Sequence, residues 1–190
     1  MKEKNLDKKT AVFGATLELI SEQGFHGAPM SQIAERANIG VGTIYRYFAS
    51  KDELINALYI DIKTKLARYI LQKHSENLSV EEGFENIFKN LIYYFIEHPA
   101  ELSFVEQYEN SPMITEATHQ QVMQIAWPWK YLFERAIKES LLKELPIEIM
   151  SAILYGAIIS MAKLYLAGTV KIEESSLAMS IAAVWDMVRR

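Results

Sequence analysis

The sequence predicts an all-α protein: a three-helix helix-turn-helix head on a larger helical bundle, about nine helices in all. Three observations predict it. Apolar residues recur at spacings of three and four along nearly the whole chain, as helix faces require, and no run alternates apolar and polar for long. Glycine (8) and proline (5) are scarce, and the dipeptides that turn β-hairpins are missing. Two short periodic runs lie back to back between residues 29 and 48, ahead of much longer ones.

Each element follows from its residues. In the first helix Phe13, Leu17 and Ile20 share a face, with Glu18 and Glu22 outside. Gln23-Gly24-Phe25 stops it, with Gly24 as the left-handed cap. A short helix runs from about Met30 to Ala37, with Pro29 suited to its first turn. Asn38 takes the left-handed turn conformation, and a third helix spans about Val41 to Phe48. Ser50-Lys51-Asp52-Glu53 reads as a capping box. It opens a long helix through Leu54, Leu58, Ile62, Leu66 and Ile70 to about Lys73. Further helices span about Val80–Glu97, ended by His98-Pro99, and Pro99–Glu109, broken at Ser111-Pro112. Ile114–Leu142 reads as one long helix kinked at Pro128. Pro146–Leu166, capped at Gly168, and about Glu173–Arg189 complete the chain. The helix from Asp52 bridges a head of residues 6–66, with the helix-turn-helix at 29–48, and a bundle of residues 67–190.

Composition narrows the function. Half of the 190 residues are hydrophobic and 23% are charged, a globular balance. There is no cysteine, which excludes disulfides, thiolate nucleophiles and cysteine-based metal sites. The longest charge-free stretch, Ile149–Ala162, has 14 residues, short of the about 20 that span a membrane. The polar start Lys2-Glu3-Lys4 has no signal-peptide core. The expectation is a cytoplasmic protein with no membrane partner. The formal charge of −4 excludes a uniformly basic coat but not a basic patch. Residues 1–51 carry seven Lys/Arg and five Asp/Glu; the remainder carries thirteen and nineteen. A mildly basic head thus sits on an acidic body.

Catalytic signals are weak. His26, His74, His98 and His119 are scattered, with no partner at metal-ligand spacing on one helix face. Neither G-x-S-x-G nor a P-loop is present, and Gly40-Val41-Gly42 fails as a dinucleotide fingerprint because no strand precedes it. The expectation is no enzyme, no cofactor and no metal.

The strong signal is residues 30–48. Ile33, Ala34, Ala37, Ile39, Ile44 and Phe48 form a shared core, and the small alanines let two helices approach closely. That leaves Thr43, Tyr45, Arg46 and Tyr47 projecting from the second helix. A helix-turn-helix places that helix in the DNA major groove. Arginine reads guanine with two hydrogen bonds, and threonine and tyrosine hydroxyls hold bases or phosphates.

Residues of about 6–66 resemble the DNA-binding domain of TetR/AcrR-type bacterial transcriptional regulators. The carrying motifs are Ala15-Thr16-Leu17-Glu18-Leu19-Ile20 with Gly24-Phe25, and Ile33-Ala34-Glu35-Arg36-Ala37. Gly42-Thr43-Ile44-Tyr45-Arg46-Tyr47-Phe48 and Ser50-Lys51-Asp52-Glu53-Leu54 follow. The resemblance implies DNA contacts from Ser31, Gln32, Val41, Gly42, Thr43, Tyr45, Arg46, Tyr47 and Lys51, the last a phosphate clamp at a helix N-terminus. Three positions depart from the family pattern. The recognition helix opens Gly40-Val41 rather than with serine and lysine, Asn38 replaces the turn glycine, and Ala28-Pro29 replaces a Ser/Thr cap. Val41 is suited to pack on a thymine methyl.

The resemblance further implies a ligand cavity among the middle helices and a homodimer built from the last two. Bulky residues of the central third supply a pocket of Tyr93, Phe104, Tyr108, Met123, Trp127 and Tyr131, with Glu106 and Glu109 in the same region. Small and apolar faces supply a dimer seam of Gly156, Ser160, Leu164, Ala178, Ala182 and Trp185. The implied function is a ligand-responsive, homodimeric repressor, released from a palindromic operator by a small, largely apolar effector. The alternative class is a helical small-molecule-binding or adaptor protein without DNA binding.

Overall fold

The computed structural model describes residues 2–24, 27–72, 78–109, 111–125 and 127–190, without the side chains of 2–7, 72, 127 and 128. Phe25, His26, His74 and the side chain of Trp127 therefore lie outside the described residues. Among the described residues the helical segments are α1 Lys2–Gln23, α2 Met30–Arg36, α3 Val41–Ile44, α4 Lys51–Gln72, α5 Val80–Glu97, α6 Pro99–Tyr108, α7 Glu116–Ile125, α8 Trp127–Lys138, α9 Ile147–Leu166 and α10 Glu174–Val188. Among the described residues there is no strand, only an isolated antiparallel bridge between Leu142 and Arg189. The fold is all-α.

One sequence expectation changes, and another turns on a residue outside the described ones. The stretch expected as one kinked helix is described as α7 and α8, on either side of residue 126, which is not among the described residues. The recognition helix is shorter than expected: α3 ends at Ile44, and Tyr45–Tyr47 continue as a tightened turn. Arg46 N–H donates to the Thr43 carbonyl at 3.2 Å and Tyr47 N–H to Ile44 at 3.0 Å, the three-residue spacing of a 3₁₀ turn.

Helix ends are set by local chemistry. Ser79 caps α5, its side chain accepting from the Glu82 N–H while the Glu82 carboxylate accepts from the Ser79 N–H. Such a cap stabilises by about 1 kcal/mol. At α4, Ser50 Oγ accepts from Glu53 N–H at 3.1 Å, but the Glu53 carboxylate reaches one residue further back, to Ala49 N–H at 2.7 Å. Asn38 (φ 53°) and Ser140 (φ 55°) take left-handed turns. Each lets the next residue close a 6→1 bond, Ile39 N–H to Ala34 and Leu141 N–H to Ala136.

The chain forms two compact units, residues 1–62 with 100–121, and residues 63–99 with 122–190. The first is cored by Phe13, Leu19, Ile33, Ile44, Phe48, Leu54 and Leu58, all at 3% exposure or less. In the second, α5 packs on α8, α9 and α10 and buries Phe84, Ile87, Phe88, Leu91 and Phe95. The division passes within α4, whose 22 residues run on from one unit into the other.

Candidate functional site

In the head, α2 and α3 are locked by what they bury. Ile33 and Ala34 of α2 and Ile44 of α3 are at most 1% exposed, and Phe48 packs on Phe13 of α1 with ring centroids 5.7 Å apart. Arg36, at the end of α2, donates to both Glu22 oxygens at 2.9 and 3.0 Å and to Glu18 at 3.3 Å. That guanidinium fixes α2 against α1 and holds the Glu22 carboxyl below the usual carboxylate range through its hydrogen bond. Asn38 then turns the chain so that α3 presents one face outward.

On that face the sequence-expected residues emerge together. Ser31, Gln32, Val41, Gly42, Tyr45 and Arg46 are exposed, while Thr43, Tyr47 and Lys51 are half-buried. Val41 and Tyr45 stand 46% and 52% exposed. Lys51 opens α4, and burial lowers its pKa from the ordinary lysine value. An amine so desolvated, at a helix N-terminus, gains from an anion. Gly42 is not required by its own surroundings: a methyl group there would meet nothing within 4 Å. Lys9 was missed from sequence. Its ammonium lies 5.3 Å from the Phe13 ring centre and 5.9 Å from that of Phe48, beside the end of the recognition segment. No spacing rule links position 9 to position 48; only the packing of α1 does.

Asn56 and Tyr59 of α4 hold the segment after α6. Asn56 donates to the Met113 carbonyl at 2.9 Å and accepts from Thr115 N–H at 3.0 Å. Tyr59 donates to Glu109 at 3.2 Å and meets His119 edge-on. Burial and the adjacent Glu109 carboxylate push the Tyr59 hydroxyl pKa up. Glu109 is thus engaged by α4, and Glu106 is exposed.

The expected pocket residues divide between the two units. Phe104 and Tyr108 stack at 4.7 Å, buried within the first unit. Tyr93, Met123 and Tyr131 belong to the second unit. Met123 is 73% exposed, Tyr131 is 39% exposed, and the Tyr93 hydroxyl donates to Glu174 at 3.3 Å. Helical periodicity predicted bulky side chains without saying which way each helix turns them. Of the expected dimer residues, Gly156, Ser160, Leu164, Ala178 and Ala182 are exposed. Trp185 is the correction: it is 5% exposed and packs on Phe84 at 4.9 Å inside its own chain.

A helix-turn-helix with an outward aromatic and arginine face, joined by one continuous helix to a second helical unit, defines a class of DNA-binding regulators. Residues 12–58 match the family described as bacterial regulatory proteins, tetR family, and residues 79–189 match the tetracyclin repressor-like C-terminal domain. The chain belongs to the TetR family. It is 30% identical over 112 residues to an HTH-type transcriptional regulator of Haemophilus influenzae, covering 59% of this chain and 60% of that protein. It is 38% identical over 66 residues to the HTH-type transcriptional regulator BetI of Escherichia coli, covering 35% of this chain and 34% of that one. The match thus spans less than two thirds of either relative's length. A TetR-family transcription regulator from Marinobacter aquaeolei shares the fold, with a TM-score of 0.92, 19% identity and coverage of 100% and 99% of the two chains.

Proposed function

We propose that this chain is a cytoplasmic, homodimeric transcriptional repressor that leaves its operator when a small, largely apolar effector binds. The observation that carries the reading is the outward set Val41, Thr43, Tyr45, Arg46 and Tyr47 over a buried helix-turn-helix core. Arg46 reads a guanine, Val41 a thymine methyl, and the hydroxyls of Thr43, Tyr45 and Tyr47 hold phosphates. Gly42 keeps the helix slim where DNA comes closest. Lys51 and Ser31 grip the backbone on either side, and Gln32 approaches from α2.

The exposed faces of α9 and α10 support the dimer. Ile149 (50%), Leu164 (46%), Met179 (67%) and Met187 (53%) are apolar and open, with Gly156 and Ala182 among them. By length and composition α9 also suits a membrane; small residues on a bundle helix fit a second copy better. Two heads then read the halves of a palindrome through successive major grooves. Effector in the second unit shifts α4, and the ligand favours the form that cannot span the operator. Mobility shift on fragments from the chain's own genome tests this, with in vitro transcription from the bound fragment to separate repression from activation. Failure to retard any fragment at low salt sinks the reading.

A further inference from the structure

Lys9 belongs to the first unit and lies on α1, where that helix meets the end of the recognition segment. Its ammonium is 5.3 Å from the Phe13 ring centre and 5.9 Å from that of Phe48, within the reach of a cation–π contact to each. Both rings are core, each 3% exposed, and they pack on one another at 5.7 Å. Lys9 itself is half-buried. Its apolar stem therefore covers the two rings that close the helix-turn-helix, as long cationic side chains do while keeping the charged head in water. The rings in turn fix where that head sits. Tyr47, whose ring lies 6.4 Å from Phe48, precedes it in the chain, and Lys51 follows three residues on. Both are phosphate contacts in the proposed reading.

Covering two rings needs no charge; methionine would do it. What lysine adds is a cation that its surroundings do not cancel. Arg36, also on the head, is neutralised by the Glu18 and Glu22 carboxylates of α1. Lys9 is held instead by ring faces, which attract a cation through their quadrupole but carry no net charge, and no ion pair to it is present among the described residues. Its positive charge stays available to a third party. We infer that Lys9 is a DNA-contacting residue, its ammonium positioned by Phe13 and Phe48 to meet a backbone phosphate at the edge of the recognition segment. A contact of this kind sets register and orientation and carries no base information. The inference rests on the proposed DNA binding and extends it from α2, α3 and α4 to α1.

Lys9→Met keeps an apolar stem over the rings and removes the charge, so it separates covering from contact. The full-length protein and its variants are titrated across a salt series with a random-sequence duplex and with any genomic fragment that the parent retards. Each phosphate contact contributes about 0.9 to the slope of log affinity against log salt. Lys9→Met should lower that slope by about 0.9 per chain bound and weaken both DNAs by about eightfold per contact at roughly 0.1 M salt. Lys9→Arg should restore both. Lys130→Met removes the same charge from a surface lysine of the second unit and should leave the slope unchanged. Should Lys9→Met fail to fold by circular dichroism, Lys9→Gln decides on the same readouts. A parent that binds DNA while the Lys9 variant keeps its slope, or while Lys130→Met loses as much, overturns the contact and leaves the regulator. A parent that binds neither DNA at low salt overturns the regulator and the contact with it.

Discussion

In the proposed reading Arg46, Lys51 and Gly42 serve DNA in different ways, and their variants should separate. Arg46 is exposed beyond α3, where a guanidinium can meet a guanine edge. Arg46→Ala should weaken binding to the specific site by about 1–3 kcal/mol, with little change on unrelated DNA. Lys51 is partly desolvated at the start of α4, and its proposed partner is a phosphate. Lys51→Ala should weaken all sequences alike and reduce the slope of log affinity against log salt by about one. Gly42→Ala tests the close approach. The methyl has open space in its own chain, and alanine favours a helix over glycine by about 1 kcal/mol. The variant should melt no lower than the parent yet bind operator at least tenfold more weakly; unchanged binding would remove DNA as the reason for that glycine. These residues were legible because an i, i+3, i+4 pattern fixes which side of so short a helix is buried, leaving Thr43, Tyr45, Arg46 and Tyr47 on the other. Trp185 was not legible. On α10 apolar residues occupy most of the circumference, and nothing in the spacing says that Ala178 and Ala182 face outward while Trp185 turns in.

Among elements, the α5–α10 contact carries a pH-sensitive tie. The Glu174 carboxylate, in the first turn of α10, accepts from Lys89 and from the Tyr93 hydroxyl of α5. The hydrogen bond from Lys89 holds the Glu174 pKa below the ordinary carboxylate value. A carboxyl depressed in the folded state adds stability above its unfolded pKa and loses it as pH falls through its folded one. Glu174→Gln should therefore lower the melting temperature slightly at pH 7, and the gap to the parent should close as pH falls through the carboxylate range towards 3. Both groups are partly solvated, so the effect is small and shrinks with salt; a gap that widens in acid would contradict the assignment. Helix ends were readable wherever one residue type decides them: Gly24, Asn38, His98-Pro99 and Gly168 all mark real stops. Ser140 at φ 55° has no such signature, since serine rarely takes that conformation.

At the scale of the whole molecule, the proposed assembly rests on the faces of α9 and α10. Along α9, Ile149, Ala152, Gly156, Ser160 and Leu164 recur at three and four residues and are all exposed. A stripe so spaced forms one face, and in a monomer it leaves apolar surface in water at about 25 cal/mol per Å². Gly156 sharpens the argument. It sits inside a 20-residue helix, at a position where alanine would be favoured by about 1 kcal/mol and would meet nothing in its own chain within 4 Å. Glycine there fits a partner helix that approaches closely. Gly156→Arg should therefore place an unpaired cation in the seam, as should Ala182→Arg on α10. Because both positions are exposed within one chain, neither change disturbs the protomer's core, so circular dichroism should report an intact helical fold. Sedimentation velocity should show a dimer for the parent and a monomer for the variants. Operator affinity should fall with the loss of the dimer, since a single head reads only half a site. A parent that sediments as a monomer at micromolar concentration, or arginine variants that remain dimeric and bind operator normally, would move the interface away from α9 and α10.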